Sequence, residues 1–283
     1  MSRGMTVTDV LKKHARVTGF SARAGLAIAS MLVVAAIFAP ILAPYDPASQ
    51  NFSEDLGPPR LEHPMGQDKL GRDVLSRLIF GARVSLLAGI STVIAAGSIG
   101  LVLGCVAGYV GGALDFWIMR AVDVVLAFPG ILLAMAMTAL LGPSLAHVIL
   151  ALSLIGWTGY ARLARAEVLA LRQREHVEAA RALGMSSYRI VVRHVLPLIA
   201  APVLVQATFG LAGAIVAEAS LSFLGLGVQP PTPSWGAMLN EGRSFLLVAP
   251  HLTLWPGLAI FSAVLALNLL GDGLLDWLDV RAR

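Results

Sequence analysis

The sequence predicts an all-α, polytopic membrane protein, and three observations carry that prediction. The 283-residue chain is 57% hydrophobic and 13% charged, with mean hydropathy +0.78, whereas soluble domains are nearer half apolar and a quarter charged. Its apolar residues gather in runs able to cross a bilayer core, which takes ~20 helical residues. Its arginines concentrate beside membrane ends at one place in the chain, a bias that marks the cytoplasmic side.

The net charge of +4 and pI near 9.6 need no nucleic-acid partner. In a membrane protein they follow from Lys and Arg retained on the inner side. The one cysteine, Cys105, lies inside an apolar run. It excludes a disulfide framework or a cysteine-based metal site within the chain and reads as a small packing residue.

A basic segment, 1–23, carries Arg3, Lys12, Lys13, Arg16 and Arg23 against Asp9. The apolar run 24–43 behind it reads as a retained first span with a cytoplasmic N-terminus. It is long for a signal peptide, and no small-x-small cleavage site follows it at a suitable place. Pro40 and Pro44 should end that helix. The soluble stretch 44–83 is placed on the outer side, although by Lys and Arg count alone it argues against that side. Its Arg60, Lys69, Arg72, Arg77 and Arg83 are nearly balanced by Asp46, Glu54, Asp55, Glu62, Asp68 and Asp73. His63, Asp68 and Asp73 offer metal-ligand atoms there, but surface salt bridges and turn caps are the simpler expectation for them.

The second span is expected at 84–109. It carries Gly100, Gly104 and Gly108 at four-residue spacing, which stacks them on one face and predicts a close helix-packing seam. Gly111 and Gly112 turn the chain into a third span, 114–141. Asp115, Arg120 and Asp123 stand in its first turns, with Arg120 and Asp123 spaced to pair. A fourth span, 145–160, emerges into Arg162, Arg165, Arg172, Arg174, Arg181, Arg189 and Arg193, against Glu167, Glu175 and Glu178. That basic excess makes the following loop cytoplasmic. A fifth span, 198–224, is rich in small residues and holds Glu218. A proline-rich outer loop with Trp235 as interfacial anchor follows, then a sixth span, 252–270, and a tail, 276–283. Six spans with both termini cytoplasmic is the self-consistent count, residues 84–275 forming a five-helix core.

The loop at 171–197 is polar, helical in character, and set between two apolar runs. Glu178, Ala179, Ala180, Gly184, Leu196 and Pro197 stand in the register of the "EAA" loop of permease subunits in bacterial ATP-binding-cassette (ABC) importers, which this stretch resembles. His194 takes a position where that pattern has Ile. Further segments resemble one subfamily, the second permease of peptide/nickel-type importers. They are His63 to Gly66 with Gly71 to Arg77, Ala107 to Gly112 with Asp115 and Met119–Arg120, and Tyr160 to Leu163. The late ones are Leu221 to Gly227, Pro230 to Gly236 and Asn268 to Leu274. Leu275 and Val280 depart from the pattern near the C-terminus.

The resemblance implies a type I ABC importer permease fold in the bacterial plasma (inner) membrane. It also implies partners: a second homologous permease, two ATP-binding subunits and an extracytoplasmic substrate-binding protein. The chain shows no Gly-x-x-x-x-Gly-Lys-Ser/Thr phosphate loop, so ATP and Mg are expected on the partner ATPases and no cofactor on this chain. In the coupling loop, which also includes Arg181, Glu178 is expected to make charged contacts at the docking surface, and Ala179 and Ala180 to allow close approach. Gly184 would supply a turn or a tight helix contact, and Pro197 a break where the chain re-enters the membrane.

Two other classes are weaker. A proton-coupled secondary transporter needs ionisable groups at mid-membrane, where Glu218, Asp123 and His147 are the candidates. An intramembrane hydrolase needs a nucleophile and base facing each other, for which Ser153 and His147 are suitable only by type. The expected cargo is a di- or oligopeptide, with nickel chelates or glutathione as alternatives. No residue of the translocation pathway is assigned from sequence.

Overall fold

A computed structural model describes residues 7–52 and 55–282, with side chains from residue 21 onward apart from 277 and 279–282. Residues 1–6 of the expected N-terminal segment and Arg283 of the tail lie outside the described residues. The regular elements among the described residues are all helical, apart from one isolated β-bridge between Gln67 and Asp73.

Helix α1 (Val7–Ile37) breaks at Phe38 and continues as a single turn, α2 (Ala39–Leu42), with Pro40 in its first turn. Proline is tolerated there because an N–H at that position has no intrahelical partner to lose. Extended backbone at Ala43 then ends the element before Pro44. The apolar part of α1, Ser21–Ile37, is shorter than the helices that qualify as spans by length and hydropathy.

Four helical stretches are long and apolar enough to cross a membrane: Val74–Val110, Leu145–Leu171, Ser187–Phe223 and His251–Asp276. The first two are α3 and α6. The span expected at 114–141 is not one helix. It is α4 (Gly112–Leu126) and α5 (Gly130–Leu141), bent by 83° from each other. Pro129, the N-cap of α5, explains the break, because proline cannot continue the ladder and disfavours helical backbone at the residue before it. Helix α3 also starts at Val74 rather than near residue 84. The Asp73 carboxylate accepts from the Ser76 backbone N–H at 2.7 Å and so caps it. Helix α6 likewise carries its arginines to Leu171 without a break at Tyr160.

The glycine seam does what its spacing predicts. A Cβ at Gly100, Gly104 or Gly108 would lie 2.4, 2.4 or 2.9 Å from the carbonyl oxygens of Trp157, Ala161 and Arg165. Both series rise by four together, so α3 and α6 run parallel, backbone against backbone. A second close pairing joins α1 to α11 (His251–Ala282). A Cβ at Gly25 would lie 2.8 Å from the Ala266 carbonyl oxygen, and one at Gly273 would lie 2.4 Å from the Ala22 Cβ, which fixes that pair as antiparallel. Helix α9 (Leu196–Phe223) packs on α3, α6 and α11. Leu87, Ile94, Val102, Leu150, Leu204 and Leu258 remain exposed, the arrangement required where lipid or another membrane helix replaces water.

The soluble stretch folds onto the α3 end of this bundle. Asp68 accepts from Arg72 Nε at 2.6 Å and lies 3.4 Å from Arg77 Nε, while Glu241 on α10 (Trp235–Gly242) accepts from Arg72 Nη2 at 2.6 Å and Arg77 Nη2 at 3.0 Å. Both arginine side chains are 2% exposed, so these are buried, paired charges, not the surface salt bridges expected. His63 meets Asp73 at 2.9 Å and Asp68 is held by the arginines, so the three metal-ligand candidates are not assembled. No cluster of three such side chains occurs among the described residues. Trp235 is also buried, at 1% exposure, its indole N–H donating to the Leu78 carbonyl at 3.1 Å above Gly81. It locks α10 to α3 instead of anchoring an interface with lipid.

Candidate functional site

The loop between α6 and α9 is built from two short helices, α7 (Glu175–Ala182) and α8 (Ser187–Ile190). In α7, Glu175 and Glu178 occupy the first turn and Arg181 the last, which suits the partial charges of the helix ends. Val177 and Ala180, three residues apart, are buried with Ala164 and Val168 of α6, Ile190 of α8, and Val195 and Ile199 beyond it. That core turns Glu178, Ala179, Arg181 and Leu183 outward, all exposed. Ala180 therefore seats the helix, while Ala179 is the small residue on the open face.

Gly184 has φ +78°. The Met185 N–H reaches back to the Ala180 carbonyl at 3.1 Å and the Gly184 N–H to the Arg181 carbonyl at 3.0 Å. This pair of bonds, with glycine in the left-handed region, closes the helix and satisfies two of its terminal carbonyls. Nothing lies within 4 Å of where a Cβ would stand. Of the two roles expected for Gly184, the turn is present and the tight contact within the chain is not.

Pro197 corrects the expectation of a break. The chain passes from α8 through a π-helical turn, Val191–Val195, straight into α9, with the Leu196 N–H bonded to the Val191 carbonyl. The wider turn gives Pro197 room in the first turn of α9, where a missing N–H costs little. Ser187–Phe223 is thus one helical body, and α8 of the loop is continuous with the membrane helix. His194 in this turn is half-buried, with its Nε2 enclosed and unpartnered.

Contacts to α4 and α3 hold the end of α6 and the loop that follows it. Arg165 Nε and Nη2 donate to the two Asp115 oxygens at 2.5 and 2.7 Å, a bidentate, charge-assisted pair. Arg172 Nη1 donates to the Gly108 carbonyl at 3.2 Å, and the Arg181 guanidinium lies 5.8 Å from the Tyr109 ring centre. Arg120 and Asp123 meet at 3.5 Å on an exposed surface of α4. Asp115 and its partner were not matched from sequence, since fifty residues separate Asp115 from Arg165. Leu183 and Tyr188 were also missed. They are 85% and 79% exposed beside Gly184, and their signal is a large apolar or aromatic side chain in an otherwise polar loop.

The residues weighed for other chemistries take structural positions. Glu218 is fully buried between α9 and α3, accepting from Ser85 at 3.0 Å and Ser222 at 2.7 Å. His147 Nδ1 bonds the Gly142 carbonyl at 2.7 Å, and Ser153 Oγ has no partner, so no base activates that serine.

Residues 100–283 match the family described as binding-protein-dependent transport system inner membrane component. The chain belongs to that family. Residues 21–59 match the N-terminal TM domain of oligopeptide transport permease C, which narrows the membership to ABC permeases of the peptide/nickel type. The permease is 48% identical to a glutathione transport system permease protein of Escherichia coli over 254 residues, 89% of this chain and 84% of the relative. It is 44% identical to a dipeptide transport system permease protein of Alkalihalophilus pseudofirmus over 259 residues, 92% and 85%. A solved structure of the MetNI methionine ABC transporter in inward facing conformations matches with TM-score 0.57 at 19% identity, covering 70% of this chain and 94% of that one. The fold is therefore that of a type I ABC importer permease, a non-catalytic, multi-pass inner-membrane subunit. Permeases of this family work with ATPase and substrate-binding partners.

Proposed function

We propose that the permease takes up di- or oligopeptides delivered by an extracytoplasmic substrate-binding protein, and that its 178–197 loop couples uptake to ATP hydrolysis. Two ATP-binding subunits would hold ATP and Mg, and a second homologous permease would complete the pathway. The reading includes six spans with both termini cytoplasmic, the bent pair α4 and α5 forming one of them and α1 with α2 another. The observation that carries the coupling role is mechanical. An outward face of Glu178, Ala179, Arg181, Leu183 and Tyr188 is mounted on a core that includes α6, and the second of its two helices, α8, continues unbroken into α9.

A force applied to that face by closing ATPases would move α6 and α9 together, because Val177 and Ala180 leave no slack between them. The small side chain of Ala179 lets a partner surface approach the helix, with Leu183 and Tyr188 as apolar anchors and Glu178 and Arg181 as charges at its margin. A peptide cargo is supported by the dipeptide and glutathione systems among the relatives. Glutathione is the second reading, supported by the 48% identity to the permease of such a system.

The test is uptake into proteoliposomes holding both permeases and both ATPases, fed with loaded binding protein. ATP-dependent accumulation of labelled dialanine is expected, with glutathione and nickel as competitors. Accumulation driven by a proton gradient without ATP would sink the reading. Preferential competition by glutathione would select the second cargo.

A further inference from the structure

Midway along α3 and α6 the helices leave a cleft of about 330 Å³ between α3, α5, α6 and α9, within the range of small-ligand sites. Its walls include Gly130, Gly156, Gly210 and Gly213, and its polar side chains are Thr92, Tyr160 and Gln206. Tyr160 and Thr92 are 4% and 5% exposed, and the hydroxyl of each is enclosed without a hydrogen-bond partner. A buried hydroxyl left unpaired is costly, so two of them lining one cleft call for an explanation.

Gly210 makes the arrangement possible, since a Cβ there would stand 2.5 Å from the Tyr160 hydroxyl. Across from it, the Gln206 amide nitrogen comes within 3.8 Å of where a Gly159 Cβ would lie, and the side chain is half-buried. Two residues with hydroxyls and one with a carboxamide, each group able to donate and accept, thus line one cleft, with both hydroxyls enclosed and unpaired at its wall.

We propose that Thr92, Tyr160 and Gln206 form a low-affinity way-station for cargo, hydrogen-bonding the N–H and C=O of its peptide groups as it crosses the membrane. This rests on the importer reading above. A peptide group presents one donor and one acceptor, the complement of a hydroxyl or carboxamide, so the cluster recognises backbone and tolerates varied side chains. No charged side chain lines the cleft, which keeps the contact weak. Weak contact suits a station that must release what it receives, because binding cargo and the transition state for its passage equally well would gain no speed.

The test uses the complete transporter with its binding protein, in a Cys105→Ala background. A Gln206→Cys variant is exposed to a water-soluble methanethiosulfonate reagent during turnover. Labelling should slow several-fold with ATP and dialanine-loaded binding protein, relative to ATP and empty binding protein. Gln206→Leu and Tyr160→Phe should lower the maximal uptake rate about three- to tenfold, the value of one hydrogen bond of ~1 kcal/mol. The KM set by the binding protein should hold, and Gln206→Asn should recover part of the rate.

Equal labelling with loaded and empty binding protein overturns the proposal. Wild-type uptake by both Gln206→Leu and Tyr160→Phe does so too, as does a loss that tracks thermal stability in Leu and Asn variants alike. Those failures leave the importer reading intact. Absence of ATP-driven peptide uptake by the unmodified transporter would instead remove both.

Discussion

Gly184 offers the sharpest test of the coupling loop, because conformation and crowding separate cleanly there. Its φ of +78° lies in the left-handed region, and no atom within 4 Å would meet a Cβ. Any penalty for a small side chain is therefore backbone strain, about 1–2 kcal/mol for an ordinary L-residue. That lowers the population of the closed turn relative to opened forms by roughly 5- to 30-fold. Asn visits this region readily and should cost least, Ala more, and β-branched Val most. Opening the turn releases the bonds from Met185 and Gly184 to Ala180 and Arg181 and displaces Leu183 and Tyr188 from the face they share with Glu178. In proteoliposomes, uptake per ATP hydrolysed should fall in the order Gly, Asn, Ala, Val while the membrane bundle keeps its thermal stability. Gly184→Glu adds charge to the strain and should uncouple most completely with the complex still assembled. Full uptake by the Val and Glu variants would refute the reasoning. Equal damage from Asn and Val would show that bulk against a partner, not φ, governs the site.

Other expectations follow from the same geometry. Gly104→Leu places a Cβ 2.4 Å from the Ala161 carbonyl, so α3 and α6 must separate; the folded yield in detergent should collapse, and a normal melting temperature would contradict the seam. Asp115→Asn weakens two charge-assisted bonds to Arg165 whose partners are 20% and 33% exposed, so solvent screening limits the loss to about 1 kcal/mol. The charge swap Asp115→Arg with Arg165→Asp should recover more stability than either single change, as a double-mutant cycle in chemical denaturation will read. Glu218→Gln keeps an acceptor for one of Ser85 and Ser222 and presents the other with an amide N–H that its hydroxyl can accept. It should therefore support uptake, whereas Glu218→Leu orphans both hydroxyls and should cost ~1–3 kcal/mol each. Loss of uptake in a stably folded Glu218→Gln variant would restore a charge-transfer role for this carboxyl.

Features governed by local spacing were legible in the sequence. Gly100, Gly104 and Gly108 announced a seam because period and face are properties of the helix itself. The Glu178, Ala179, Ala180 and Gly184 register was legible through its resemblance to the coupling loop of ABC permeases, which implied a helix there and offered a turn at Gly184. What stayed hidden depends on partners far along the chain. Arg72 and Arg77 entered only the charge count of their loop because nothing local reveals that Glu241 will meet them. Trp235 read as an interfacial anchor because its acceptor, the Leu78 carbonyl, is a backbone atom of another helix. The bend at Pro129 was visible as a residue and overlooked because the apolar run continues through it. Pro197 failed the other way: a proline taken as a break is absorbed by a widened turn, which no propensity scale anticipates. The cleft of Thr92, Tyr160 and Gln206 joins three helices, and each residue alone is unremarkable in a membrane segment.

The continuity at Pro197 bears on mechanism more than any single contact. Had the chain broken there, a push on the loop would have been spent in a hinge at the membrane surface. As it is, the loop helix α8, the π turn and α9 form one body from Ser187 to Phe223. That body carries Gln206 and Gly210 on its way to Glu218. Pro202 lies inside it, where the missing N–H and the ring's clash with the preceding turn soften the ladder. In the proposed cycle, motion entering at Tyr188 therefore reaches the cleft along one helical body, with Pro202 as the compliant point between drive and cargo. The buried Glu218, Ser85 and Ser222 bonds hold the far end of α9 against α3. A lever fixed at its Glu218 end and pushed at its Ser187 end swings most on the Ser187 side of its fixed point, and Gln206 and Gly210 of the cleft lie on that side.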